Sequence, residues 1–242
     1  MPLFMITSAG LSQTSLNLSE DISVNATKLQ HYVQEELEWE PSIDAANIGV
    51  AATDAGVVTL SGTVSSYAEK ITAERAAKRV AGVRAIADEI EVQPINSSRH
   101  SDTAIAQSVL RTLEADIAVP HEKIRVQVEG GWVTLSGEVA LQFQRSAAEH
   151  AVRRLEGVRG VKNDIRLQVR PALDPADVKS QIVAAFRRSA EIDARDIAVG
   201  VRNGTVTLRG TVKTWAERDE AERAAWAAPG VLAVEDELKV GI

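Results

Sequence analysis

The stretch Gly56-Val-Val-Thr-Leu-Ser-Gly62 decides the fold, because the chain repeats it as Gly131-Trp-Val-Thr-Leu-Ser-Gly137 and Gly204-Thr-Val-Thr-Leu-Arg-Gly210. The opening glycines are 75 and 73 residues apart, and a Gly-Val pair starts 20 residues after each closing glycine. Similarity at a nearly fixed period means that one structural unit recurs along the chain. We therefore predict three copies of a unit of roughly 70 residues.

Apolar spacing around this stretch predicts the other elements of each unit. A helix comes first, because Leu29, Val33 and Leu37 recur every four residues. A strand alternating through Ile48 and Val50 follows, and a hairpin turn joins it to the strand of the glycine stretch. An alanine-rich helix and a third strand complete the unit. The predicted fold class is α+β: three tandem α-β-β-α-β sandwiches, each a mixed three-stranded sheet with two helices on one face.

Polar residues and glycines add detail to this prediction. Asn25 or Thr27, Asp102 and Asp174 are the expected N-caps of the first helix in the three units. The closing glycine of the stretch, Gly62 in the first unit, shares the parity of the buried strand face. A glycine at such a position predicts either a β-bulge or a close helix approach.

Composition and charge exclude several classes of protein and of binding site. The chain is 45% hydrophobic, lacks cysteine and carries a net charge of −7, so disulfides, thiolate metal sites and nucleic acid are not expected. No apolar run is long enough for a transmembrane segment. We assign 1–24 as a disordered or extended tail, and domains at 25–93, 101–170 and 174–242. Without a recognisable secretory signal we expect a cytoplasmic protein, or a periplasmic one if the true N-terminus differs.

The repeated pattern resembles the BON domain family, named for bacterial osmotically inducible and nodulation proteins. The shared features are the Gly-x-Val-x-Leu-x-Gly strand, the alanine-rich helix, the Gly-Val pair and a final aliphatic strand, and they recur in all three copies. This resemblance implies a non-enzymatic module, often periplasmic and stress-induced. It also implies attachment to phospholipid surfaces through the second helix of one domain.

Catalytic and metal-binding patterns are missing from the repeated positions. Ser61 and Ser136 lack the preceding glycine of a nucleophile elbow, and the third copy has Arg209 at that position. The histidines occupy unrelated repeat positions without an i, i+4 pair. We therefore expect neither an enzyme nor a bound metal or cofactor.

The middle unit offers the best candidate for lipid binding. Residues 101–173 hold ten bases and nine acids, whereas the regions on either side are acidic. Its second helix brings Phe143, Arg145, Arg153 and Arg154 together as candidate lipid-binding residues, because bases near an anionic leaflet contribute about 1 kcal/mol each. The alternative is a solvated helix whose arginines pair with nearby acids.

Two tryptophans of the third unit form the candidate partner-binding site. At 100° per residue, Trp215 and Trp226 fall on the same side of the second helix, away from its alanines. An outward apolar strip would bind a membrane or a protein. The alternative is that Trp215 packs over the helix start and Trp226 is covered by a neighbouring unit. Trp132, on the open sheet face, is expected to make an interdomain contact.

These observations predict a non-enzymatic binding or scaffolding protein of the stress or osmotic response. In this interpretation it attaches weakly to anionic phospholipid through the middle unit. The second hypothesis is a soluble protein-interaction or ion-responsive module that uses the Trp215 and Trp226 face.

Overall fold

The computed structural model describes residues 25–94, 101–168, 173–190 and 192–241. The tail predicted at 1–24 and most of both linkers lie outside the described residues. Each unit follows the order helix, strand, strand, helix, strand, which confirms the predicted fold class. The first unit comprises α1 Ala26–Trp39, β1 Ile48–Ala52, β2 Val57–Val64, α2 Tyr67–Arg79 and β3 Ala85–Val92. The second comprises α3 Asp102–Ala115, β4 Ile124–Glu129, β5 Trp132–Val139, α4 Gln142–Val152 and β6 Gly160–Leu167. The third comprises α5 Pro175–Arg188, β7 Ile197–Arg202, β8 Thr205–Val212, α6 Trp215–Trp226 and β9 Ala233–Val240.

The glycine stretch supplies the central strand of every sheet. In the first unit β2 pairs antiparallel with β1 and parallel with β3, and the other two sheets repeat this order. The parallel pair needs a crossover, which is why a helix separates the second and third strands. Each unit has its own core, formed by the apolar stripe of the first helix, the alanines of the second and the inward strand residues.

Short polar side chains start the first helices, as expected for N-caps. Asn25 accepts a hydrogen bond from the Lys28 amide, and Asp174 caps α5 in the same manner. The prediction for the second unit is wrong by one residue, because Ser101 is the N-cap. Asp102 instead begins α3, and its carboxylate accepts hydrogen bonds of 2.8 and 2.9 Å from the amides of Gly130 and Gly131 in the hairpin turn.

The closing glycine is explained by a close backbone approach. Gly62 has φ +119°, and a Cβ there would lie 2.1 Å from the carbonyl oxygen of Asn47. Pairing remains in register, with Gly62 opposite Ile48. The predicted bulge is therefore wrong. The neighbour is the last residue of the short 3-10 helix Ala45–Asn47, which leads into β1, and only glycine fits at this φ.

The first and third units each bury one carboxylate between two loops. Glu69 accepts hydrogen bonds of 2.9 Å from the amide of Asp44, before β1, and from the amide of Ser65, before α2. Glu217 bonds the Asp193 and Lys213 amides in the same way. Each carboxylate thus satisfies two backbone donors and joins the loop after the first helix to the start of the second.

Candidate interaction surfaces

The start of α4 in the middle unit exposes apolar side chains. Phe143 is 57% exposed and Leu141 41% exposed. Leu141 occupies the N-cap position, where a leucine side chain cannot accept a hydrogen bond. The amide of Gln144 bonds the Leu141 carbonyl at 3.1 Å instead, and Gln144 Oε1 reaches back to accept from the amides of Ala140 and Leu141 at 3.1 Å each. Leu141 is therefore not required for capping, and its side chain faces solvent.

A third exposed apolar residue of the middle unit, Ile117, lies in the loop after α3. Its relative exposure is 105%. In the third unit, the equivalents of Ile117 and Leu141 are Ala190 and Thr214, and both line one cavity. From this equivalence we infer that Ile117 lies at the same end of the middle unit as the start of α4. We call Ile117, Leu141 and Phe143 the apolar end of the middle unit.

The other two units lack an apolar end, although they share the fold. The equivalents of its three members are small or polar in the first unit and also in the third. They are Pro41, Ser66 and Ala68 in the first unit, and Ala190, Thr214 and Ala216 in the third. Because only the middle unit has large apolar residues at these three positions, the shared fold does not require them.

The predicted lipid-binding arginines lie in different environments. Arg145, two residues after Phe143, donates to the carbonyl of Asn163 at 3.3 Å. Arg153 is half-buried beside the first unit, and its pKa is lowered by burial and then by the positive charge of Arg75. Arg154 is exposed at the far end of α4. Of the three arginines only Arg145 lies in the first half of α4, four residues after Leu141, and Arg153 faces another part of the same chain.

Trp215 docks the third unit onto the first. Its indole Nε1 donates a 2.9 Å hydrogen bond to the carbonyl of Val83, in the turn after α2. Lys78 of the first unit and Arg218 of the third each lie 5.0 Å from the ring centroid, within range of cation–π attraction. Trp215 is thus engaged within the chain, at a contact between α2 and α6.

Trp226 does not extend a shared strip with Trp215. Its ring is half-buried and packs against the core of its own unit. Its Nε1 donates to Glu222 one turn earlier at 3.2 Å. Neither indole is among the strongly exposed side chains, because Trp215 contacts the first unit and Trp226 packs on its own core. Binding of a partner through these two tryptophans stays a prediction. Trp132, by contrast, is 58% exposed on the sheet face of β5, above Gly160.

Tyr67 makes the contact between the first and second units. It begins α2 and packs against the core of the second unit. Burial raises the pKa of the Tyr67 phenol, and the Glu149 carboxylate adds to the rise. Tyr67 and Trp215 occupy the same repeat position, so the first residue of the second helix carries an interdomain contact in two units.

A sequence profile of the BON domain matches residues 25–94, 101–169 and 174–242. The chain belongs to the BON domain family. This match confirms the resemblance to the BON domain that was based on the glycine stretch and the alanine-rich helix. The osmotically-inducible protein Y of Escherichia coli (strain K12) is 34% identical over 154 residues, which are 62% of this chain and 74% of that protein.

Two solved structures cover most of the three BON domains at low identity. Both are of CdsD, a structural protein of the type III secretion system of Chlamydia trachomatis. The C-terminal domain structure covers 88% of this chain and 98% of that one, with 16% identity and a TM-score of 0.25. The second covers 86% and 90%, also with 16% identity and a TM-score of 0.25.

Across the BON domain residues that the structure describes, no group of three or more His, Cys, Asp or Glu side chains could hold a metal ion. Within the same residues, no helix has both the length and the apolar character needed to cross a bilayer.

Sequence reasoning missed Ile117 and Leu141 in the second BON domain. The sequence does carry a signal for both, because each is a large apolar residue at a position where the first domain has Pro41 or Ser66. The contact from Trp215 to Val83 had no such signal, because it joins residues 132 positions apart.

Proposed function

We propose that this BON protein is a non-enzymatic binding protein of the osmotic stress response that attaches to anionic phospholipid surfaces through its second domain. The osmotic part rests on the relative whose name records osmotic induction. The attachment part rests on one observation: the second domain exposes Ile117, Leu141 and Phe143, whose equivalents in the other two domains are small or polar.

Energetics favour the apolar end over the charges as the main attraction. Complete burial of a large apolar side chain contributes about 1.5–3 kcal/mol, so partial insertion of three contributes roughly 2–4 kcal/mol. Residues 101–173 are nearly neutral, and the remainder of the chain is acidic. Arg145 adds about 1 kcal/mol near an anionic leaflet. Such a sum gives weak, reversible attachment.

Liposome flotation with vesicles of phosphatidylcholine, with and without phosphatidylglycerol, tests this proposal. The triple variant Ile117→Ser, Leu141→Ser, Phe143→Ser should lower binding to the anionic vesicles at least about tenfold, because it removes the inserting side chains. The matched control is Leu110→Ser plus Trp132→Ser, which removes exposed apolar side chains elsewhere on the same domain. The proposal fails if the wild-type chain does not float, or if the control loses as much binding.

The arginines provide an independent test of orientation. Arg145→Glu should weaken flotation more than Arg154→Glu, because Arg145 lies in the first half of α4, four residues after Leu141, and Arg154 lies at the other end of α4. Arg153 is unsuitable for this comparison, since its substitution would also disturb the contact with the first domain. Equal losses for Arg145→Glu and Arg154→Glu would contradict insertion at the start of α4.

A further inference from the structure

A cleft of about 180 Å³ lies between the first and third domains. The turn after α2 forms one wall, and the start of α6 forms the other. Trp215 borders the cleft, and its hydrogen bond to Val83 holds the two walls together. The cleft is far larger than the roughly 10–15 Å³ that a cavity needs, on the same measure, to hold one water. Because both domains line it, its shape depends on their docking.

Basic side chains predominate in the lining of this cleft, although the protein as a whole is acidic. The lining contains four cationic side chains and one carboxylate, whereas the chain carries a net charge of −7. These residues are Lys78, Arg79, Arg84, Lys213 and Asp54. Asp54 already accepts a 2.8 Å hydrogen bond from the amide of Ala26. The cleft therefore offers a site for an anion.

Two of the cations are already engaged by carboxylates of the first domain. Lys78 lies 2.7 Å from Glu74. Arg79 binds Glu36 at 2.7 Å and Glu40 at 3.1 Å. These pairs neutralise one side of the cleft and leave Arg84 and Lys213 as its available cations.

Arg84 has no carboxylate within ion-pair distance in the described residues, and Lys213 has only a long ion pair. The exposed Arg84 forms no ion pair within the described part of the chain, and its stem packs beside Gly56. Lys213 Nζ forms an ion pair of 3.7 Å with the Asp193 carboxylate, which is too long for a hydrogen bond. That carboxylate is held by Arg195 instead, at 3.0 Å from two guanidinium nitrogens.

We propose that this cleft binds a phosphate-sized oxyanion between Arg84 of the first domain and Lys213 of the third. A guanidinium provides a planar fork of donors that matches two oxygens of the anion, and the ammonium adds a second positive charge. Because the ligand contacts both walls, it binds the docked arrangement better than an undocked one. Bound anion therefore strengthens the docking of the third domain onto the first.

The test is a titration of the ¹⁵N-labelled full chain with inorganic phosphate at constant ionic strength, with chloride as the compensating anion. The reporter is the indole N–H resonance of Trp215, assigned with Trp215→Phe. Phosphate should shift this resonance saturably, and Arg84→Gln plus Lys213→Gln should raise the apparent Kd at least tenfold. Arg84→Lys keeps the charge without the fork and should give an intermediate Kd.

The matched control removes one arginine and one lysine from the second domain, as Arg166→Gln plus Lys162→Gln. It should leave the titration unchanged.

A second titration, with glycerol phosphate, separates a lipid headgroup from free phosphate. Tighter binding of the ester indicates the headgroup, and equal or weaker binding indicates the free anion. The proposal is overturned if neither compound shifts the resonance saturably, or if the control variant raises the Kd as much as the cleft variant. Flotation of the cleft variant should match the wild type if the free anion is the ligand and should fall if the headgroup is. The phosphate titration contains no vesicles, so this proposal and attachment through the apolar end fail independently.

Discussion

Gly210 lies where the strand β8 passes over the residue that precedes β7. An ideal Cβ at this position would lie 2.0 Å from the carbonyl oxygen of Asp196, and φ is +138°. Backbone on both sides prevents relaxation, because β8 is hydrogen-bonded to two neighbours. Gly210→Ala should therefore lower the free energy of unfolding of the third domain by about 2 kcal/mol or more, as measured by urea denaturation.

Gly200 provides the control in the same hairpin. A Cβ there would lie 3.8 Å from Thr207, which is an ordinary contact. Gly200→Ala should change the free energy of unfolding by no more than about 0.5 kcal/mol. Similar losses at Gly200 and Gly210 would show that the cost arises from strand propensity and not from the backbone contact.

At the scale of elements, the buried Glu69 carboxylate in the first turn of α2 explains why the first and second domains differ at two positions together. Glu69 needs both oxygens, because it accepts from Asp44 and Ser65. The second domain has Gln144 and Pro120 at the positions of Glu69 and Asp44. Proline has no amide to donate. The single side-chain oxygen of Gln144 therefore has to accept only from the amides that precede α4, those of Ala140 and Leu141.

This pairing predicts a non-additive double mutant in the first domain. Glu69→Gln should cost about 1–3 kcal/mol of unfolding free energy, because one buried amide loses its acceptor. Asp44→Pro removes that amide, and the backbone of Asp44 at φ −89° is close to that of Pro120 at φ −76°. In the double mutant, Glu69→Gln should then cost clearly less than in the wild-type background. Additive losses in denaturation experiments would contradict the proposed bridge.

The order of elements could be predicted from sequence because apolar periodicity and glycine positions report local structure directly. Leu29, Val33 and Leu37 are buried as their spacing requires. The role of Glu69 could not be predicted, since a glutamate near a helix start normally faces solvent. The sequence showed that Gly62 needs to be a glycine, but it did not show that Asn47 is the residue that approaches it. Asn47 lies 15 residues earlier, and its approach follows from how the entry to β1 crosses the sheet.

At the scale of the whole molecule, the second helix of the first domain is the common neighbour of the other two. Tyr67 at its start packs on the second domain, and Lys78 near its end lies over Trp215 of the third. Helical spacing placed Trp215 away from its own alanines, as expected. Spacing within one domain carries no information about what covers that side, so the contact with Val83 was not predicted.

Docking of the third domain onto the first should depend on Trp215. Trp215→Ala removes the hydrogen bond to Val83 and the ring that lies between Lys78 and Arg218, while each domain keeps its own core. We expect a larger radius of gyration in small-angle X-ray scattering and faster amide exchange around the turn after α2. Trp215→Phe keeps an aromatic ring without the donor and should fall between alanine and the wild type. Trp132→Ala removes an exposed ring and should scatter as the wild type does; if Trp215→Ala does so too, Trp215 does not hold the domains together.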